Sequence, residues 1–285
     1  MLVSVDGLRG DALRHMPRVS ALLDRALWTD SMSTIVPSLT VPGHLAMFTG
    51  RDVSEFGITN NAFDNSAAAT LILNNATSIF AWAHDAGMSS IALAGLSLIP
   101  PSDVAAAREF FELDSLIPVD RLVDPIIDRA IGIATRPNAP NVLFVHVPTT
   151  DFAGHDDGWT RADTLDELGH EVPTSGYVSA VASVDAALGR LWAAVSAEIA
   201  TGAVALIITA DHGGGDGNGC VSGVPEEREH CTGEPGDRLI PFMLLTRDVA
   251  PARLGAVASI TQIAPTAAAL LQLTRPASTD PSLLR

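Results

Sequence analysis

The sequence has no lysine: all 17 of its basic residues are arginine. A lysine-bearing phosphate loop and Schiff-base chemistry are therefore excluded. Positive charge is scarce altogether, since 33 Asp and Glu leave a formal net charge of −16. A nucleic-acid module needs a basic footprint, and this composition supplies none. An anionic small molecule is compatible only where something local, such as a bound divalent cation, reverses the field. Long apolar runs are missing too. Stretches such as Ala203–Ala210 fall far short of the roughly 18–20 apolar residues that span a bilayer. Met1 runs into Leu2-Val3-Ser4-Val5 with neither a basic segment nor a long apolar one, so no signal peptide is read there. With Met1 as the native start, the expectation is a cytoplasmic protein without a membrane segment.

Cysteine is nearly absent. Cys220 and Cys231 share one polar stretch and form no CxxC pair, which argues against a thiolate zinc site. Two free thiols are the expectation in a reducing cytoplasm, with a loop-closing disulfide as the alternative.

What is present reads as a folded chain of 285 residues, 47% hydrophobic and 18% charged, with a mean hydropathy of +0.27. Short β-branched runs alternate with helical stretches, which predicts an α/β fold: a mostly parallel central sheet with helices on both faces. Strands are expected at Leu2–Val5, Ser90–Leu93, Asn141–Val147, Ala203–Thr209 and Leu239–Leu245, with an extended stretch ending at Thr34–Val36. Helices are expected near Arg18–Leu27, from Val41-Pro42 to Gly50, and at Thr77–Ala86, Arg121–Ala134, Tyr177–Ile199 and Thr261–Leu271. No repeat or low-complexity linker divides the chain, so one domain over residues 1–285 is the economical reading. Two polar, Gly- and Asp-rich segments, 151–175 and 211–237, read as long loops, and such loops are usually functional.

Three aspartates share one context. Asp6 follows the first strand, Asp151 follows NVLFVHV after Pro148-Thr149-Thr150, and Asp211 follows AVALIIT. Carboxyl ends of strands in open α/β sheets face one crevice, where ligands bind. Carboxylates converging there without a cation would repel one another into protonation. His155 stands four residues after Asp151, His212 adjoins Asp211, and His230 lies ahead of the strand at Leu239. Mixed nitrogen and oxygen donors suit zinc, with manganese or iron as alternatives, better than calcium or magnesium. Six ligands are too many for one tetrahedral ion but serve two ions about 3.5–4 Å apart. A nucleophile candidate, Thr40, precedes the helix at Val41-Pro42, where a helix amino terminus stabilises an anion. Asn61 follows a turn containing Gly57 and has an amide to offer a phosphoryl oxygen.

The motifs Val5-Asp6-Gly7-Leu8-Arg9, Thr40-Val41-Pro42-Gly43-His44, Phe48-Thr49-Gly50, Thr150-Asp151-Phe152-Ala153-Gly154-His155 and Ala210-Asp211-His212-Gly213 together resemble the alkaline phosphatase superfamily. Within it the chain is similar to the nucleotide pyrophosphatase/phosphodiesterase branch, as far as the closing Ile263-Ala264-Pro265-Thr266. The resemblance implies that Asp151, His155 and His230 hold one zinc and Asp6, Asp211 and His212 the other, with Thr40 bridging towards both. It also implies attack by Thr40, a phosphothreonyl intermediate that water hydrolyses, and phosphate contact by Asn61. The implied substrate is a small phosphoester, possibly a nucleotide. Departures are Phe56 where this group often has His, a long Gly-rich stretch before His230, and a chain too short for a large specificity domain. A phosphomonoesterase or phosphonate hydrolase on the same site, or a non-catalytic metal-binding homologue, are the alternatives.

Several of these residues also have plain structural readings. A strand-end Asp caps helices, and Thr40 is itself a good helix cap. His44 and His146 read as packing residues, and Asp156, Asp157 and Asp216 as solvated loop positions.

Overall fold

The computed structural model describes residues 1–61, 76–95, 98, 104–167, 169–255 and 257–284. Its strands are β1 (Leu2–Val5), β2 (Leu27–Ser33), β3 (Ser90–Gly95), β4 (Ser115–Val119), β5 (Val142–Val147), β6 (Thr160–Leu165), β7 (Glu171–Pro173), β8 (Leu206–Thr209), β9 (Leu239–Leu245) and β10 (Ala252–Arg253). Eight form one sheet in the order β10-β2-β9-β8-β1-β5-β3-β4, while β6 and β7 form a separate antiparallel pair. Every pairing in the large sheet is parallel except those of β9, which runs against both β8 and β2. The mostly parallel sheet expected from the alternating pattern is therefore present.

The unbroken apolar runs of β1, β5 and β8 are buried along their whole length, as strands covered on both faces must be. One layer of helices packs together from α1 (Thr40–Thr49), α2 (Ile79–Asp85) and α7 (Ile263–Leu270). The other contains α4 (Val123–Ala134), α5 (Thr149–Asp157) and α6 (Ser175–Thr201); a further helix, α3 (Val104–Phe110), packs by β4 at the sheet edge. Phe48 of α1 meets Phe80 of α2 and Phe144 of β5 edge-on, which locks the first layer to the sheet centre.

Two features of this topology build the site. In the register, Ser4 of β1 lies beside both His146 of β5 and Thr209 of β8. Two residues further on, Asp6 and Asp211 leave adjacent strands side by side, and the helix after β5 brings Asp151 to the same edge. Because β9 is antiparallel, it begins at the edge where its neighbours end. The excursion from Gly213 to Arg238 thus returns to the crevice it left, carrying His230 with it.

Some local expectations need correction. The helix expected near Arg18–Leu27 is only Pro17–Ser20 plus a 3₁₀ turn at Leu23–Arg25, and Leu27 already starts β2. Pro17 opens the short helix, the chain turns through Ala21–Arg25, and Leu27 at the end of the pattern pairs with β9. Segment 151–175 is not a loop: α5 occupies its start and the β6–β7 pair follows, with position 168 outside the described residues. Strand β4 was not read from sequence, since Pro118 interrupts its pattern. Helix α6, at 27 residues, is long and apolar enough by composition to cross a membrane, which a search for runs such as Ala203–Ala210 overlooked. Its inward stripe packs on α4 and α5, and its buried Asp185 accepts the N–H groups of Arg18 and Val19.

The expectation of free thiols is also overturned, for Cys220 and Cys231 form a disulfide with their Cα atoms 5.8 Å apart. The loop doubles back because the carboxylate of Asp237 gathers the N–H groups of Asp216, Cys231 and Thr232 at 2.9–3.0 Å. This folding sets the two cysteines face to face.

Candidate metal centre and nucleophile

The structure brings Asp6, Thr40, Asp151, His155, Asp211, His212 and His230 into one crevice at the carboxyl edge of β8, β1 and β5. Asp151 and His155 lie four apart on α5 and so share one of its faces. Trp159, fully buried, wedges between the two motifs that follow β5 and β8 and donates its indole N–H to the Gly7 carbonyl at 2.7 Å. A Cβ at Gly154 would sit 2.2 Å from that indole, so the glycine of the DFAGH motif is required by close approach. Gly154→Ala is expected to lower Tm by several degrees, since overpacking costs about 1–3 kcal/mol. Gly132→Ala, in α4 with nothing within 4 Å, should instead raise it, because Ala is the better helix residue by roughly 0.5–1 kcal/mol. Differential scanning calorimetry of both variants checks the contrast.

All three histidines are oriented alike. Nδ1 of His212 donates to the Gly213 carbonyl at 2.7 Å, that of His230 to Ser38 at 2.6 Å, and that of His155 to Arg228 at 2.8 Å. Each ring therefore turns Nε2 towards the centre, as imidazole ligands of metals do. The spacing fits coordination. Asp151 Oδ1, His155 Nε2 and His230 Nε2 are separated pairwise by 3.4, 3.6 and 3.3 Å. His212 Nε2 lies 3.1 Å from Asp6 Oδ1, 3.3 Å from Asp211 Oδ2 and 3.2 Å from Thr40 Oγ1. Donors about 2.0–2.1 Å from a tetrahedral zinc stand about 3.4 Å from each other.

The two groups adjoin: Asp151, His212 and His230 also present ligand atoms within 4.8 Å of one another, and the His212 and His230 rings stack at 3.7 Å. Asp151 Oδ1 and Asp211 Oδ2 are buried and accept no hydrogen bond among the described residues. Oxygens of this kind are costly unless a cation meets them. The donor set thus has the chemistry to hold divalent cations of the zinc type, with His212 common to both groups of donors.

The electrostatics of the bare residues point the same way. Burial, followed by the charge of Asp6, pushes the Asp151 carboxyl up to about 7 and holds Asp211 well above the carboxylate range. Burial also acts to raise Asp6, yet hydrogen bonds from His146 and His212 carry it well below its ordinary value. Burial opposes charge on His212, but the carboxylates of Asp211 and Asp6 outweigh it and lift that imidazole to about 10. A proton is what Asp151 and Asp211 hold in place of a metal, and metal binding would release it. His230 is driven well below its normal value by burial and then by His212, which leaves its Nε2 lone pair open.

Thr40 is not the helix cap. Leu39 occupies that position in extended conformation and contributes no side-chain bond, so Thr40 is the first helical residue and its hydroxyl faces His212. Asn61 is exposed beside it and accepts the Val41 N–H through Oδ1 at 3.0 Å.

Three supporting residues escaped the sequence reading. His146, taken as a packing residue, accepts the Gly95 N–H at Nδ1 (3.1 Å) and donates from Nε2 to Asp6 Oδ2 at 2.9 Å. A histidine inside an apolar strand that ends at the site was the available signal. His44 does pack on Phe48 and Phe144, but its Nδ1 also donates to the Thr40 carbonyl at 2.8 Å. Asp237, which ties down the loop bearing His230, left no local signal. Asp216 is no solvated loop residue either, since it accepts the Gly236 N–H at 2.6 Å. Arg9, the one arginine within the quoted motifs, is committed to Asp11, Glu171 and the Gly214 carbonyl.

Comparison with known proteins bears on family and fold. The family described as type I phosphodiesterase / nucleotide pyrophosphatase matches residues 1–228. Mouse ectonucleotide pyrophosphatase/phosphodiesterase family member 3 is 24% identical over 228 residues, covering 75% of this chain and 24% of the mouse protein. The chain thus spans about a quarter of that relative's length. The solved murine ectonucleotide pyrophosphatase/phosphodiesterase 5 superposes with a TM-score of 0.70 at 16% identity, covering 99% of this chain and 96% of that one. An inactive threonine-to-alanine form of the same protein, in complex with AMP, superposes equally well. The lipoteichoic acid synthase LtaP of Listeria monocytogenes follows with a TM-score of 0.68 at 12% identity, over 98% of this chain and 72% of that one. Sulfatases share the fold too: a 2-O GAG sulfatase, BT1596, gives a TM-score of 0.71 at 10% identity, over 99% of this chain and 72% of that one.

Proposed function

Because this chain belongs to the type I phosphodiesterase / nucleotide pyrophosphatase family, we propose that it hydrolyses phosphoric diesters or pyrophosphates with Thr40 as nucleophile. Asp151, His155 and His230 would hold one divalent cation and Asp6, Asp211 and His212 the other, zinc in both, with Thr40 Oγ1 beside the second set. The single observation that carries this reading is the meeting of three imidazole Nε2 atoms with buried carboxylate oxygens that accept no hydrogen bond.

Bound cations would neutralise the phosphoryl oxygens and lower the pKa of the attacking hydroxyl. The chain supplies the rest. The amino terminus of α1 places Thr40 Oγ1 at the crevice and favours negative charge there. Asn61, fixed through Val41, offers its amide to a non-bridging oxygen. Attack by Thr40 forms the Oγ1–phosphorus bond as the leaving alcohol or phosphate departs with its electron pair, and the hydroxyl proton passes to that leaving group through solvent. Water then cleaves the phosphothreonine and returns the proton to Thr40. His155, the most exposed of the ligand set at 37% of its side chain, marks the side from which substrate enters.

A diester fits better than a monoester, because the extra charged oxygen of a monoester rewards a cationic side chain and Arg9 is already neutralised. The AMP complex of the murine relative supports a nucleotide as substrate. Metal-stripped protein reloaded with zinc is expected to turn over bis-p-nitrophenyl phosphate with kcat/KM at least about tenfold above p-nitrophenyl phosphate. A monoester preference would make it a phosphomonoesterase. Tight zinc uptake without turnover on either ester would make it a binding homologue.

A further inference from the structure

We propose that His146 is a positioning residue that sets the cation affinity of the Asp6–Asp211–His212 set alone, by fixing which oxygen of Asp6 faces the ion. The inference rests on the two-cation reading of the site and deepens it.

The argument begins with the backbone. Gly95 N–H points at His146 Nδ1 at 3.1 Å, so Nδ1 must accept and the ring proton must reside on Nε2. Nε2–H then donates to Asp6 Oδ2 at 2.9 Å. With Oδ2 occupied, Oδ1 is the oxygen turned towards His212 Nε2, 3.1 Å away. Asp6, His146 and His212 are all completely buried, so no water competes for these contacts. Strand register makes the arrangement stiff: His146 aligns with Ser4, and both strands are paired on each side within the sheet.

Histidines of both sets are oriented by backbone carbonyls. The difference lies in the carboxylates: among the described residues no histidine N–H holds Asp151 as His146 holds Asp6. Among the described residues His146 has its hydrogen bonds with Gly95 and Asp6 and a ring contact with His44, and none of these is with Asp151, His155 or His230. The two cation positions are therefore separable by one substitution, even though they adjoin.

His146→Phe removes the donor while filling the space beside His44, and His146→Met does so with a more adaptable side chain. His146→Gln restores an N–H donor. Each metal-stripped protein is titrated with zinc against a chromophoric chelator, with Tm recorded on the stripped forms. Wild type should take up two ions. The Phe and Met variants should keep one at wild-type affinity and bind the other about 10–100-fold more weakly. The Gln variant should recover to within a few fold.

Two ions bound as in wild type by the Phe or Met variant would overturn the proposal. So would equal weakening of both ions, which a merely structural role produces. Should Phe prevent folding, the Met variant decides on the same criteria. A wild type that takes up no zinc would overturn the two-cation reading, and the proposal with it, a result distinct from selective loss.

Discussion

Thr40→Ala should abolish turnover while leaving the fold and zinc uptake in place. Losing the attacking hydroxyl is expected to lower kcat by on the order of 10³-fold or more, about 4 kcal/mol of transition-state stabilisation. Stability should hardly move. The Thr40 side chain makes no helix cap, and among the described residues its hydroxyl partner is His212 Nε2 at 3.2 Å. Thr40→Ser keeps a hydroxyl at the same position and should retain activity well above the Ala variant. Steady-state rates on bis-p-nitrophenyl phosphate, with Tm and zinc stoichiometry beside them, check the three outcomes together. Full activity in Thr40→Ala would remove Thr40 as the nucleophile.

Asp151→Asn should act in opposite directions on the stripped and the loaded protein. Without metal, Asp151 keeps its proton up to about pH 7 against an ordinary value of 3.8. The folded state therefore binds more protons than the unfolded state in that window, and stability falls as pH rises through it. Asn resembles the protonated acid and does not titrate, so the variant escapes this loss. Stripped Asp151→Asn should match the parent near pH 4 and exceed it by a few kcal/mol near pH 8. Loaded with zinc, the same variant should be the weaker protein, with one ion lost and turnover severely reduced. Chemical denaturation of stripped protein across this pH range provides the test. A stripped variant no more stable than the parent at pH 8 would show that the carboxylates do not repel as argued. By the same linkage, zinc affinity of the parent should rise with pH up to about 7, since binding displaces the Asp151 proton.

Much of the site was legible because its parts are local. Asp6, Asp151 and Asp211 each follow a strand whose apolar run is unmistakable, and the rules of parallel sheets place such ends together. Helix α1 was bounded almost to the residue, with Gly50 adopting the left-handed conformation that ends it. Thr40 was placed correctly in space but in the wrong local role, since capping and first-turn positions differ by one residue. The helix expected near Arg18–Leu27 is cut short because the chain turns at Ala21–Arg25 to enter β2 at Leu27. Segment 151–175 failed because short polar strands such as β7 have no periodicity to read.

What the sequence by itself determined is the set of donors: carboxylates and imidazoles without a lysine, a hydroxyl at a helix start, and a crevice at strand ends. Those depend on residue type and on spacing within a single element. Tertiary structure decided how the pieces are held. It returned His230 to the crevice through an antiparallel β9 and gathered its loop on Asp237. It joined Cys220 to Cys231, wedged Trp159 against Gly154, and set His146 behind Asp6. Each of these joins residues far apart in the chain, where no periodicity reaches and only the packing of the whole sheet edge brings them together.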